Sequence, residues 1–342
     1  MNKDILINIK SLNCILSSKN KTSYVMNDGS LVINKGSCIG IVGESGSGKT
    51  QLFKTICGTQ EMIPGIVSGE VTFYIDGKQF KMYSKKKKKF ILSEHHKSIK
   101  RDLIGFIPQD PKSFLNPYWT IKKIFKETYR LSKNDLSFEK FIEKYLKQVD
   151  IDYELYQDKL PSQLSGGEAQ RVMIAVVLSK NPKLIIADES TTGLDVSRQR
   201  TVIDTFKKIH SSNPDLTMIF ISHDFGFLSH VVDEYYVLYG GFICEHIVDK
   251  DQFLDLDNLH PYTQDLISSL IPGEHSSDSM HDDISSSLLS KPLKGCPYFN
   301  AKCNDENCNN DSHFHNSIPP VFDENGNSQN VDLNKRWKRS RG

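Results

Sequence analysis

Eight consecutive residues, Gly43-Glu-Ser-Gly-Ser-Gly-Lys-Thr50, combine the residue types that a phosphate-binding turn requires. Gly43, Gly46 and Gly48 let the backbone bend so that successive N–H groups face inward, with Ser45 and Ser47 between them. Lys49 supplies a point charge for β- and γ-phosphates, and Thr50 offers a hydroxyl to Mg²⁺. The spacing matches G-x-x-x-x-G-K-[ST], a pattern that acquires meaning only between a strand and a helix. Gln51 follows on that helix and joins the candidate nucleotide-binding set. A flexible Gly-Ser loop is the competing reading, and alone the pattern indicates NTP binding and no more.

A second chemical group lies at Leu184-Ile-Ile-Ala-Asp188-Glu189, an apolar run that ends in two carboxylates. In that arrangement one acid, Asp188, holds the Mg²⁺ shell, and the next, Glu189, polarises an attacking water. A solvated turn is the alternative, which a phosphate loop in the same chain disfavours.

Both groups need rigid elements to hold them. Ser37 to Val42 reads as a buried strand before the loop and Thr50 to Cys57 as the helix after it. Leu184 to Ala187 and Met218 to Ile221 are short, apolar and flanked by polar segments, as central parallel strands are. Ile5 to Ile33 reads as short strands and turns, and Val71 to Ile75 followed by Asp76-Gly77 predicts an antiparallel hairpin. From Thr120 to Val149, Ile121, Ile124, Phe125, Phe141, Tyr145 and Leu146 recur at spacings that give a helical insertion one apolar face. The lysine-dominated run Ser84 to Lys89 reads as a solvated connection with no assigned function.

The chain has 342 residues, 38% hydrophobic and 25% charged, enough for one large or two modest cores. Its 43 Lys+Arg against 42 Asp+Glu leave a net charge of +1, so no global field argues for nucleic acid. Seven cysteines in an odd, uneven pattern (Cys14, Cys38, Cys57, Cys244, then Cys296, Cys303 and Cys308) are unlike a secreted disulfide framework and fit a reducing cytoplasm. Met1-Asn-Lys-Asp lacks the apolar stretch of a signal peptide, and apolar runs such as Val172 to Leu178 are shorter than a membrane span. A transport role would need separate membrane subunits.

Leu164-Ser165-Gly166-Gly167-Glu168-Ala-Gln170-Arg171 resembles the signature of ABC-type ATPases, with a Ser-Gly-Gly helix cap as the alternative reading. The resemblance continues in chain order: Gln109 matches the Q-loop, Leu194-Asp195 the D-loop and His223 the switch histidine. Phe114-Leu115-Asn116-Pro117, His260-Pro261-Tyr262-Thr263 and Gly295-Cys296-Pro297-Tyr298-Phe299 resemble the oligopeptide/dipeptide/nickel importer ATPases. The family's pattern implies that Ser165, Gly166, Gly167, Glu168 and Asp195 act in trans on ATP held by a second subunit. It assigns Gln109, Glu189 and His223 to catalysis, Thr50, Gln109 and Asp188 to Mg²⁺, and an aromatic such as Tyr24 to adenine, with ordinary partial burial as the alternative reading of Tyr24. Ser190 and Gly193 depart from the commoner proline and alanine, and Glu168 from the commoner glutamine, without removing a catalytic atom.

The resemblance implies a P-loop, RecA-like α/β ABC nucleotide-binding domain over residues 1–250. An antiparallel β region and a helical subdomain at about 112–170 belong to that domain. A C-terminal extension covers 251–342, with a Ser/Asp-rich linker at Glu274 to Ser290. It implies an ATP-hydrolysing subunit of an importer for peptides or a related small solute, with a nickel or metallophore importer and a non-transport ABC mechanoenzyme as alternatives. Its partners would be a second, related ATPase in a heterodimer, two permeases and an extracytoplasmic binding protein, placing the chain on the cytoplasmic face of the membrane. Some members carry an iron–sulfur cluster on C-terminal cysteines. Cys296, Cys303 and Cys308, with His313 and His315 able to complete a site, leave iron–sulfur, zinc and a metal-free remnant open. The tail Lys335-Arg336-Trp337-Lys338-Arg339-Ser-Arg341 reads as a disordered, solubilising end, with contact to anionic lipid as the alternative.

Overall fold

The computed structural model describes residues 4–18, 21–59, 64–87, 89–132, 135–188, 196–249, 259–268, 321–322 and 328–329. Glu189, Ser190, Gly193 and Asp195 lie outside the described residues, as do the linker, Cys296, Cys303, Cys308, His313, His315 and the basic tail. In chain order the principal elements are β1 (Ile5–Ser18), β2 (Lys21–Asn34), β3 (Cys38–Val42), α1 (Lys49–Ile56), β4 (Pro64–Ile75), β5 (Lys78–Lys81), β6 (Tyr83–Lys86) and β7 (Lys89–Leu92). They continue as β8 (Ile104–Ile107), α2 (Ile121–Leu131), α3 (Phe138–Gln148), α4 (Gly166–Leu178), β9 (Leu184–Asp188) and α5 (Val196–Ser212). The last are β10 (Thr217–Ile221), α6 (Phe225–Val231), β11 (Glu234–Tyr239), β12 (Phe242–Ile247) and α7 (Pro261–Ser268). Among the described residues no helix is long and apolar enough to cross a membrane.

The chain divides into two compact units. One comprises Met1–Lys35, Ile39–His96 and Asp233–Gly342; the other comprises Gly36–Cys38 and Lys97–Val232.

The first unit contains an antiparallel sheet in the order β2-β1-β4-β5. Where short strands and turns were expected, β1 and β2 are each 14 residues long. Their ladder absorbs polar interruptions as register shifts, and Ser11 and Asp28 adopt φ of 46° and 48° there. A bulge lets a polar residue leave the pleat without ending the strand. Ile7, Ile9, Leu12, Cys14, Met26, Leu31 and Ile33 consequently stay buried. Asp76 and Gly77, both at positive φ, close the β4–β5 hairpin. Ser84, Lys85, Lys86 and Lys89 are strand-paired rather than parts of a plain connection: Ser84 opposes Ile91, Lys85 opposes Phe90 and Lys86 opposes Lys89 in the β6–β7 hairpin. Backbone pairing is indifferent to charge when side chains reach solvent, so Lys85, Lys86 and Lys89 are exposed strand residues and Lys87 an exposed turn residue at φ 56°. Also in this unit, β11 pairs in parallel with β3, Val42 opposite Val237, and antiparallel with β12.

The second unit contains β8, β9 and β10 in parallel, with β9 in the middle. All five residues of β10 and the first four of β9 are buried, the pattern of a strand covered on both faces. The helix α4 is buried from Val172 to Leu178. The expected apolar insertion face forms as two helices: α2 buries Ile121, Ile124 and Phe125, and α3 buries Phe141, Ile142 and Leu146. Tyr145 stands at the margin of that face, half-buried, with its ring 5.0 Å from Phe141.

Candidate functional site

The loop from Gly43 to Thr50 leaves the end of β3 and enters α1, the strand-to-helix context that its pattern demands. Its glycines hold positive φ: 148° at Gly43, 84° at Gly46 and 106° at Gly48. A Cβ on Gly43 would lie 2.1 Å from the Leu238 carbonyl oxygen of β11, and one on Gly48 would lie 2.4 Å from the Val25 oxygen of β2. Those two glycines let neighbouring backbone close against the loop. Gly46 faces open space, with nothing within 4 Å of its would-be Cβ.

Several bonds fix the loop from within and without. Lys49 Nζ donates to the Gly43 oxygen at 2.6 Å and to the Glu44 oxygen at 2.8 Å, curling the cation back over the turn. The Gly241 N–H, between β11 and β12, donates to the Ser47 oxygen at 3.0 Å, and the Asn27 N–H donates to the Gly241 oxygen at 2.8 Å. The Tyr262 hydroxyl accepts the Glu44 N–H at 2.9 Å. No side chain caps α1 at Gly48, so the helix start carries no side-chain acceptor of its own. Ser47 Oγ is buried with no hydrogen-bond partner among the described residues. An open face at Gly46, an uncapped helix start, a buried orphan hydroxyl and a held lysine together fit an anionic phosphate chain. Thr50 is exposed, Gln51 half-buried on α1, and Tyr24 half-buried on β2 opposite Ile15.

In the second unit the parallel strands bring three candidates to one edge. Ile107 opposes Ala187, and Ile221 opposes Asp188. Gln109 thus follows the C-terminal end of β8, Asp188 ends β9, and His223 follows β10. Gln109 and His223 are exposed, and Asp188 is half-buried. Asp224 stabilises the turn beside His223: its Oδ1 accepts the Phe227 N–H at 2.9 Å, capping α6, and its Oδ2 accepts Gln199 Nε2 at 2.6 Å. The Asp188 carboxylate and Thr50 hydroxyl are oxygen donors of the kind that Mg²⁺ takes. Among the described residues no cluster of three or more His, Cys, Asp or Glu is arranged to hold a metal.

The signature-like segment is built differently. Ser165 is the N-cap of α4; its Oγ accepts the Glu168 N–H at 3.3 Å while Glu168 Oε2 accepts the Ser165 N–H at 2.7 Å. This reciprocal capping box leaves Gly166 and Gly167 at the helix start. The Tyr156 hydroxyl donates to Glu168 Oε1 at 2.5 Å. That bond, followed by the Ser165 N–H, pulls the Glu168 carboxyl down to about 2. Neither Tyr156 nor Tyr262 was assigned from the sequence. The S-x-x-E spacing signals the box, but its tyrosine partner and the Tyr262 contact carry no local signal.

A cleft of about 640 Å³ between α5 and α6 is lined by Gln199, Arg200, Asp204, Lys207, Phe227 and His230 among others, and by none of the motif residues.

Comparison with known proteins agrees with this arrangement. The ABC transporter family model matches residues 26–192. The oligopeptide transport ATP-binding protein AppD of Bacillus subtilis is 36% identical over 71% of this chain and 72% of its own length. The oligopeptide transport ATP-binding protein OppD of Escherichia coli is 32% identical over 86% and 85%, and the dipeptide transport ATP-binding protein DppD of Haemophilus influenzae is 34% identical over 78% and 77%. Among solved structures, the dimeric ATP-binding cassette MJ0796 bound to ADP and Pi aligns at 25% identity and a TM-score of 0.58, over 70% of this chain and 97% of that one. The ABC transporter subunit cbiO1 of Clostridium perfringens shares the fold at 23% identity and a TM-score of 0.61, over 78% and 99%. With a glycine-bent phosphate loop, acid and histidine at strand ends, a capped signature helix and relatives matched over most of their length, the chain belongs to the ABC transporter family and is an ATPase of the group that contains these oligopeptide and dipeptide ATP-binding proteins.

Proposed function

We propose that this chain is the ATP-binding and ATP-hydrolysing subunit of a multi-component ABC importer for peptides. The observation that carries the reading is the loop Gly43 to Thr50, with Lys49 Nζ seated on the Gly43 and Glu44 oxygens and the open side of Gly46 beside an uncapped α1. The names of the relatives supply the class of solute.

In this reading the N–H groups of Gly46 to Thr50 donate to phosphate oxygens of ATP, with Ser45 and Gln51 at the margins of the site and Gly43 shaping the turn. Lys49 adds its charge at the β- and γ-phosphates. Tyr24 stacks on adenine. Mg²⁺, when bound, offsets phosphate charge, and Thr50, Gln109 and Asp188 are the residues that would hold it. Glu189 accepts the proton of the attacking water, and His223 holds the γ-phosphate end in the reactive geometry. Ser165, Gly166, Gly167, Glu168 and Asp195 act on ATP held by a second, related ATPase subunit, and closure of the pair moves two permeases at the cytoplasmic face of the membrane. An extracytoplasmic binding protein delivers the solute. We divide the chain at residue 250 into an ATPase domain and an extension. Whether Cys296, Cys303 and Cys308 hold iron–sulfur or zinc is decided by iron, zinc and sulfide analysis after anaerobic purification.

Glu189→Gln tests the reading: ATP binding persists, turnover falls at least about a hundredfold as expected for losing a general base, and a closed dimer accumulates in light scattering with ATP. Near-normal hydrolysis by this variant would overturn the assignment.

A further inference from the structure

Tyr262 is 218 residues from Glu44 in sequence, yet its hydroxyl accepts the Glu44 N–H at 2.9 Å. The Glu44 oxygen in turn accepts Lys49 Nζ at 2.8 Å and the Ser47 N–H at 3.2 Å. One residue of the loop therefore joins the tyrosine to the lysine. We propose that Tyr262 is a positioning residue of the nucleotide loop: by holding the Glu44 N–H it sets the seat of Lys49, and it makes the loop's readiness for phosphate depend on the docking of α7.

The tyrosine sits in a built seat. It is 1% exposed, and its ring lies 4.4 Å from that of Tyr239, the last residue of β11 before the Gly240-Gly241 turn that bonds Ser47. Its N–H donates to His260 Nδ1 at 3.1 Å, and the buried His260 donates its own N–H to Glu245 Oε1 of β12 at 3.0 Å. His260 and Tyr262 thus clamp the start of α7 onto β12 while the ring reaches the loop. Burial raises the Tyr262 hydroxyl far above its ordinary range, so it accepts the Glu44 N–H as a neutral phenol. Every contact in this chain of bonds lies within one compact unit. The segment after residue 250 would then act on the nucleotide site through a single hydroxyl.

The inference rests on the phosphate-loop reading above, and the test separates the two. ATP and AMP binding by the full-length chain are measured calorimetrically in EDTA for wild type, Tyr262→Phe, Lys49→Ala and the double variant. Phenylalanine keeps the ring packing and removes one hydrogen bond, so ATP binding should weaken about three- to tenfold. AMP, which lacks the phosphates that Lys49 reaches, should bind as to wild type. In the Lys49→Ala background the second change should add little, because both act through one cation. Undiminished ATP binding by Tyr262→Phe, or equal losses for ATP and AMP, overturns the proposal. A wild-type chain that does not bind ATP sinks the functional reading instead. Should Tyr262→Phe fail to fold, amide exchange on the nucleotide-free wild type decides: slow exchange at Glu44 supports the bond, and exchange as fast as at the exposed Ser45 excludes it.

Discussion

Two glycine-bearing turns open onto helices in this protein, and they hold their shapes by opposite means. The loop from Gly43 to Thr50 depends on neighbours distant in sequence: the Leu238 and Val25 oxygens, the Gly241 N–H and the Tyr262 hydroxyl. The turn at Ser165 to Glu168 depends on itself, through a capping box closed within four residues and braced by Tyr156 twelve residues away. The first adds tertiary contacts to the Lys49 and Ser47 bonds within the loop, and the second rests on local hydrogen bonding. The physical difference is positive φ. Glycine takes positive φ without a steric penalty, and at Gly43 and Gly48 the absent Cβ leaves room for neighbouring backbone, whereas a serine N-cap adopts an ordinary extended conformation, here φ −65° and ψ 168°.

The sharpest way to break the comparison is Gly43→Ala. A methyl 2.1 Å from a backbone oxygen cannot be relieved by a side-chain rotation, so destabilisation of about 3 kcal/mol or more is expected, read by denaturant unfolding together with loss of ATP binding. A variant that unfolds like wild type would show that the loop tolerates a shift away from β11. Next in size is Gly46→Ala, whose Cβ meets nothing within 4 Å but whose φ is 84°. The cost should be only about 1–2 kcal/mol from conformation, while ATP binding falls out of proportion because the methyl enters the open face. Equal effects on folding and binding would count against that face as the phosphate side.

The smallest effects belong to the signature turn. Ser165→Ala should cost about 1 kcal/mol, seen as faster amide exchange in the first turn of α4 with the phosphate loop unaffected. Glu168 makes the same turn pH-dependent. Its folded carboxyl titrates near 2, below its ordinary value, because Tyr156 and the Ser165 N–H bind the charged form. Its stabilising contribution is therefore present above the ordinary carboxylate range and is lost as pH falls through about 2. The difference in melting temperature between wild type and Glu168→Gln should be largest above pH 5 and shrink towards pH 2. A gap constant over that window would mean the carboxylate is not held as described.

The local turn was legible from its residues. Ser165 and Glu168 stand at capping-box spacing, and the apolar run after them predicts a buried helix. The parallel strands were legible for a similar reason: Leu184 to Ala187 and Met218 to Ile221 are continuously apolar, as double-sided burial requires. Two misreadings have one cause. The first strands were expected to be short because Ser, Asn and Asp interrupt Ile5 to Ile33, and Ser84 to Lys89 was expected to be a connection because it is charged. In each case side-chain character is a poor guide to backbone pairing, which bulges and solvent-facing positions make independent of it.

Sequence alone determined the inventory of this protein: a loop able to face phosphate, an acid pair after an apolar run, a capped glycine turn, and motifs in the order of an ABC ATPase. Those features are short-range, governed by φ preferences, spacing and capping within a few residues. Tertiary structure alone decided what holds the loop in place. Which carbonyl closes on Gly43, which N–H meets Ser47 and which hydroxyl takes the Glu44 N–H depend on β2, β11, β12 and α7 arriving from up to 218 residues away. A hydrogen bond needs only 2.9 Å in space, and nothing in the spacing of residues records that approach.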